Sequence, residues 1–477
     1  MNLPPEPPPR YPSFDLPVEQ GPRNFTGWLV LSLILIYLVV SQLGSYLTRD
    51  EQKGDLRYLD SVTLLRKAVG LKQSTTFGKE LSSQADALLK DVADGLKPDV
   101  EKDVVAARLY AAALSEQGKA VPPTALTKLR ASKEKRDLVF ADVFAAKKLT
   151  KVQAADVEQK LKGGGYISTL ATAQAWEKAG AKDKRDALLP GSNTLILILA
   201  GAGMCGTFFL GIVLWIVYLV GRSQGHWKPV GMPLEHITLA DADRLAIRCA
   251  QVFGLFLAVP LVVHYAIAPS FKGKLPDAML SNIGSLILYG LLIGLTLLLF
   301  ARGFIGGKRI SLASIGITTR NLGSNIAWGV STAIANIPLV LGMAFLGNFL
   351  FSWLPKAEHP ATVELQTQND LFTTIALLLM ASIGAPILEE IMFRGTMLPA
   401  LARVLKRPVA AILIQGLVFA AIHPTGIPAW LALATVGAMS GFLTRQTGSL
   451  VPSIVMHAVH NFGTLLVAKA ALSFFGF

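Results

Sequence analysis

Hydrophobic positions along this chain fall into two regimes. From Trp28 to Leu43 the sequence is an apolar run without charge, and from Ser192 to Gly221 thirty residues carry no charge, long enough to cross a bilayer. Further apolar candidate spans lie at about 246–268, 279–301, 323–354, 371–398, 409–424, 427–444 and 450–475, which predicts about nine membrane spans in all. Between residues 48 and 191 the pattern changes. Apolar and charged residues there alternate at helical spacing, as in "DVVAARLYAAALSEQGK" and "YISTLATAQAWEKAG". Gly and Pro breaks ("DGLKPD", "AVPPTA", "LKGGGY") divide that block into five to seven predicted helices.

The expected fold class is therefore all-α: a polytopic membrane helix bundle carrying an inserted helical extracytoplasmic domain. Residues 1–23, with eight of the 26 prolines, read as a disordered tail. Residues 24–47 form a signal-anchor helix, 48–191 the soluble helical domain, 192–305 membrane helices, and 306–477 a membrane domain that holds the candidate chemistry.

Charge sharpens this division. The block from Arg49 to Ser192 holds 26 Lys and Arg and 20 Asp and Glu, well over half of the charged residues. The formal net charge of +13 is no nucleic-acid signature, because the soluble block is mixed in sign and much of the remainder sits in short loops. Arg302, Lys308, Arg309 and Arg320 cluster in one loop, Arg403, Lys406 and Arg407 in a second, Arg445 in a third, and Arg222, Lys228 and Arg244 in a fourth. Nine spans put all four on one side, the cytoplasmic one, with the soluble domain outside. The expected location is a multi-pass cell membrane of bacterial type, with the lipid bilayer and a peptide or protein substrate as partners. Cys205 and Cys249 both fall in or beside apolar runs and frame no disulfide.

Three polar groups interrupt the last apolar runs. Glu389 and Glu390 are followed by Arg394. Glu390 and Arg394 stand at i, i+4 with the acid first, the favourable order for a helix ion pair. Glu389 is turned about 100° away, so one carboxylate is held while the other is left available. Phe419 and His423 share one helix face, and His457, His460 and Asn461 another. A charge at mid-bilayer costs about 2.5–3.5 kcal/mol, so a chain retains it for pairing, for a wet cavity or for chemistry. Carboxylate, imidazole and carboxamide are the groups that activate a water and stabilise an oxyanion. The same groups also serve a proton relay, so a proton-coupled transporter is the main alternative, and an inactive membrane scaffold the other. No H-E-x-x-H occurs, and "GAMSG" lacks the spacing of a serine-nucleophile turn.

The order E-E-x-x-x-R, F-x-x-x-H, H-x-x-x-N on successive apolar helices resembles the CPBP family. This family comprises the type 2 CAAX prenyl proteases and the bacteriocin-processing and lysostaphin-resistance-like membrane proteins. The resemblance covers roughly residues 310–475. It implies an intramembrane endopeptidase in which Glu389, helped by His423, activates water. His457 and Asn461 would stabilise the oxyanion, and Glu390 and Arg394 would organise the helix. It implies a prenylated CAAX substrate only through the family's name. It also leaves open a Zn2+ ion held by Glu and His, with His460 a further possible ligand, against a metal-free glutamate mechanism. By chain length Glu389 would lie at a different depth from the two histidines, and bends at Pro386 and Pro399 are expected to reconcile them.

Overall fold

The computed structural model describes residues 23–47, 58–73, 78–189, 194–234, 236–271, 277–301, 304–305, 308–309, 311–354, 361 and 371–474. The proline-rich tail up to residue 22, and Arg302 of the basic loops, lie outside the described residues. The chain divides into two compact units, one of residues 1–48 and 202–468, the other of 49–201 and 469–477.

The smaller unit contains eight α-helices among the described residues, more than the Gly and Pro breaks predict: Leu59–Lys72, Gly78–Leu96, Val104–Glu116, Pro123–Arg130, Lys135–Ala145, Lys151–Leu161, Gly165–Lys178 and Lys182–Leu188. The breaks after Arg130 and Ala145 have neither Gly nor Pro. The second is set by a capping box, in which Thr150 accepts from the Gln153 backbone and the Gln153 side chain accepts from the Thr150 N–H. Small residues such as Ala106, Ala107, Ala111, Ala171 and Ala175 are fully buried, so the helices pack closely. Glu116 is buried there beside Gln174, which donates at 2.7 Å, and Arg185 at 2.9 Å. Burial pushes its carboxyl pKa up, against the pull of the Arg185 guanidinium.

The larger unit is the membrane bundle, and this chain is an integral multi-pass membrane protein. Among the described residues eight helices are long and apolar enough to cross: Thr26–Leu47, Gly201–Ser223, Leu239–Ile267, Asn282–Phe300, Leu322–Leu350, Leu371–Leu405, Ile427–Thr447 and Val451–Lys469. The ninth expected span is the helix Pro408–Ala421, too short to count with the others. Its 14 residues extend about 21 Å, against about 30 Å of hydrocarbon. It stops early because His423 precedes Pro424, and the residue before proline is driven out of helical geometry. Irregular backbone at that depth is tolerated only where protein buries it or it lines a cavity. The short helix thus delivers His423 into the interior.

The helix Leu371–Leu405 departs from expectation in another way. It runs on for 35 residues, about 52 Å, and neither proline ends it. A π-turn at Met380–Gly384 comes just before Pro386, and another at Ile391–Met397 just before Pro399. Widening the helix absorbs the hydrogen bond that each proline lacks. Glu389 consequently falls near the middle of a long helix rather than at the end of a short one, and the mismatch of depth disappears through length. The helix of the acid pair, the short helix, the helix Trp430–Thr447 and the terminal helix Val451–Phe474 form the walls of the candidate site.

Candidate active site

Among the described residues Arg394 is the largest fully buried side chain, and Glu390 beside it is equally closed off. Arg394 Nη1 donates to Glu390 Oε1 at 3.0 Å, and its Nη2 donates to the Gly437 carbonyl at 2.7 Å. Its guanidinium carbon lies 4.9 Å from the Phe419 ring centroid. Besides the ion pair within its own helix, this side chain reaches two others, by a backbone hydrogen bond and a cation–π contact.

The same Glu390 oxygen meets His457 Nδ1 at 3.0 Å. A carboxylate only accepts, so Nδ1 carries the hydrogen and Nε2 is the atom left to face outward. That Nε2 lies 3.8 Å from Glu389 Oε2. His423 repeats the pattern from the opposite wall. Its Nδ1 meets the Phe419 carbonyl, which again fixes the hydrogen on Nδ1, and its Nε2 stands 3.7 Å from the same Glu389 oxygen. The Phe419 ring packs against both imidazoles, 4.4 Å from the His423 centroid and 5.6 Å from that of His457.

Glu389 Oε2 itself is buried and accepts no hydrogen bond. The rest of the side chain is 21% exposed, and His423 17%, so the trio borders an accessible space. Three acceptor atoms, from two helices and the loop that follows the short helix, converge there, and the gaps of 3.7–3.8 Å are too long for direct bonds. Such a constellation calls for a donor with hydrogens to share, and a water molecule is the smallest one.

Five of the six residues singled out by sequence thus lie together: Glu389, Glu390, Arg394, His423 and His457. Asn461 is placed one turn beyond His457, and its Nδ2 donates to the Ala381 carbonyl at 2.8 Å, in the π-turn before Pro386. His460 has no described contact with Glu389. Among the described residues no three His, Cys, Asp or Glu side chains are grouped as metal ligands. Glu389 Oε2 stands further from both Nε2 atoms than the roughly 3.3 Å between ligands of a tetrahedral zinc with bonds near 2.0–2.1 Å.

Sequence reasoning passes over Gln415, Gly416 and Gly437. Gln415 Nε2 donates to the Gly437 carbonyl at 2.8 Å, so that oxygen is shared between Arg394 and Gln415. The arrangement depends on close approach of two helices, because a Cβ on Gly437 would fall 2.9 Å from Gly416 Cα. The signal lies in "GAMSG", where Gly437 and Gly441 make a G-x-x-x-G face. Gly437→Val is expected to force these helices apart, costing about 1–3 kcal/mol of stability by overpacking. Thermal unfolding in bicelles checks this, with Gly463→Val, in open space, as the reference.

Set against curated proteins and against solved structures, the chain finds no match. Residues 371–463, which include all six candidate residues, match the family model for type II CAAX prenyl endopeptidase, Rce1-like, and the chain carries a domain of this membrane peptidase family.

Proposed function

We propose that the membrane unit is an intramembrane endopeptidase of the CAAX protease and bacteriocin-processing type, in which Glu389 is the general base toward water. The observation that carries this reading is the partnerless Glu389 oxygen facing two imidazole nitrogens whose hydrogens are fixed on the far side. Water placed among them donates one hydrogen to Glu389 and one to His423 Nε2. Glu389 takes its proton as the water oxygen bonds to the peptide carbonyl carbon. His457, its Nδ1–H held by Glu390, presents Nε2 as an acceptor toward the water in its neutral form and donates from Nε2 to the oxyanion only once that nitrogen has taken up a proton. The second amide hydrogen of Asn461 supplements it. Collapse of the tetrahedral intermediate breaks the C–N bond, and the proton on Glu389 passes to the leaving amine. Glu390 and Arg394 hold the geometry and exchange no proton.

The substrate is a peptide or protein segment reaching this depth in the membrane, and the soluble unit serves to recruit it. Each step runs on residues of the chain, without a metal. Incubation with a zinc chelator is therefore expected to leave the cleavage rate within about twofold, against the much larger factor carried by a general base. A loss restored by added zinc would overturn the metal-free route. The function itself is tested by exposing the reconstituted protein to a peptide library and reading new termini by mass spectrometry, wild type against Glu389→Gln. The same products from both proteins would remove Glu389 from the mechanism.

A further inference from the structure

The first helix, Thr26–Leu47, lies far from residues 371–463 in sequence, yet both of its ends are built into the membrane unit. At its start stands Asp243, fully buried on the helix Leu239–Val262. Arg23 donates to it from Nε at 2.9 Å and from Nη2 at 3.1 Å. The Asn24 backbone N–H and Trp28 Nε1 each add a hydrogen bond at 2.9 Å. One turn in, Gly27 lies so close to Ile247 that a Cβ would fall 2.5 Å from Cγ1. This end is fixed.

About 28 Å further along, by helix rise, the last turn presents Tyr46, only 4% exposed. Its ring fills the place where a Cβ on Gly426 would stand, 2.3 Å from Cε2. Gly426 has φ +96°, in the region that favours glycine, and sits three residues after His423. On the far side of the loop a Cβ on Gly347 would fall 2.2 Å from the Pro428 carbonyl oxygen. The segment His423–Pro428 is thereby gripped between the first helix and the helix Leu322–Leu350. Two prolines, Pro424 and Pro428, remove donors from this loop, and its described backbone hydrogen bonds include only short-range ones: His423 N–H to Ala420 O at 3.1 Å, Thr425 N–H to His423 O at 2.9 Å and Ala429 N–H to Gly426 O at 3.1 Å. Tyr46 and Gly347 close on it from two sides. The 3.7 Å separation of His423 and Glu389 depends on the position of this loop.

We infer that Tyr46 is a positioning residue for His423, and that the first helix is a strut running from Asp243 to the histidine loop. The inference rests on the reading of Glu389 and His423 as the peptidase pair. A loop released by a fraction of an ångström misplaces the water relative to the base, which costs rate rather than binding.

The test uses the full chain in lipid nanodiscs. Tyr46→Ala is expected to lower kcat about tenfold with KM within about twofold, while Tyr46→Phe, which keeps the ring, loses less. Gly44→Ala, on the same helix with open space at its Cβ, stays at wild-type activity. Gly426→Ala loses more than Tyr46→Ala. Its loss shrinks in the Tyr46→Ala background, where the new Cβ meets no ring, whereas the φ strain is common to both backgrounds and cancels.

A second readout needs no activity. Amide hydrogen exchange at residues 423–429 is expected to rise about threefold or more in Tyr46→Ala, with residues 451–465 unchanged. If Glu389→Gln still cleaves, the proposed chemistry fails while this exchange result still reports on the strut. Should Tyr46→Ala not fold, Tyr46→Leu supplies the same readouts. Unchanged exchange in the loop, unchanged kcat, equal loss in Tyr46→Phe, or a Gly426→Ala loss that is the same in both backgrounds overturns the inference.

Discussion

Glu389→Gln is expected to cut peptide cleavage by about 10³–10⁴-fold, the upper range for a general base, and to leave the protein folded. Both halves follow from the partners that Glu389 lacks. Its Oε2 accepts no hydrogen bond, so replacing the carboxylate by an amide of the same shape removes no described hydrogen bond at that atom. The amide cannot accept a proton from water, and its N–H2 can donate directly to an imidazole Nε2 that would otherwise orient the water. Glu389→Asp keeps the charge but withdraws it by one methylene, and is expected to lie between the two. Rates on one mapped peptide bond, with thermal unfolding alongside, separate loss of chemistry from loss of fold. A Glu389→Gln protein that cleaves at the wild-type rate would refute the assignment.

Arg394→Met has the opposite profile, with stability bearing the cost. Removing one partner of a buried ion pair leaves the other charge uncompensated, which costs about 3–5 kcal/mol. Here Glu390 would lose its cationic partner and the Gly437 carbonyl one of its two donors, while the thioether still fills space beside Phe419. The double variant Glu390→Gln with Arg394→Met removes both charges and is expected to recover a large part of the loss. Arg394→Lys should rescue incompletely, because one ammonium lacks the planar fork that reaches carboxylate and carbonyl together. Unfolding free energies in bicelles decide the matter. Wild-type stability in Arg394→Met would mean that this pair does not hold the helices together.

Much of the site is legible because it is local. Glu390 and Arg394 pair within one helical turn, and an i, i+4 spacing is visible in any sequence. The ordered motifs of Glu389–Arg394, Phe419–His423 and His457–Asn461 point to the peptidase family whose model matches residues 371–463. Other features are not local. Which backbone oxygen would receive the second arm of Arg394 depends on how closely Gly416 and Gly437 let two helices approach. The choice of Glu390 rather than Glu389 as the partner of His457 depends on the rotation of the terminal helix against the acid-pair helix.

Pro386 and Pro399 are instructive failures of local reasoning. Proline in an apolar run reads as a bend or a stop, yet here the helix widens into π-turns and continues for 35 residues. Packing on several sides can stabilise a widened turn that an isolated helix would not hold.

Membrane segments, the charged helical block between them and the family resemblance are written along the chain, since hydrophobic length and motif order are one-dimensional properties that lipid and water enforce residue by residue. The three acceptors around Glu389 Oε2, and the tyrosine of a distant first helix against the histidine loop, exist only once the helices have packed. Distances of a few ångströms between residues tens or hundreds of positions apart are set by side-chain volume and helix rotation, which no spacing in the chain encodes.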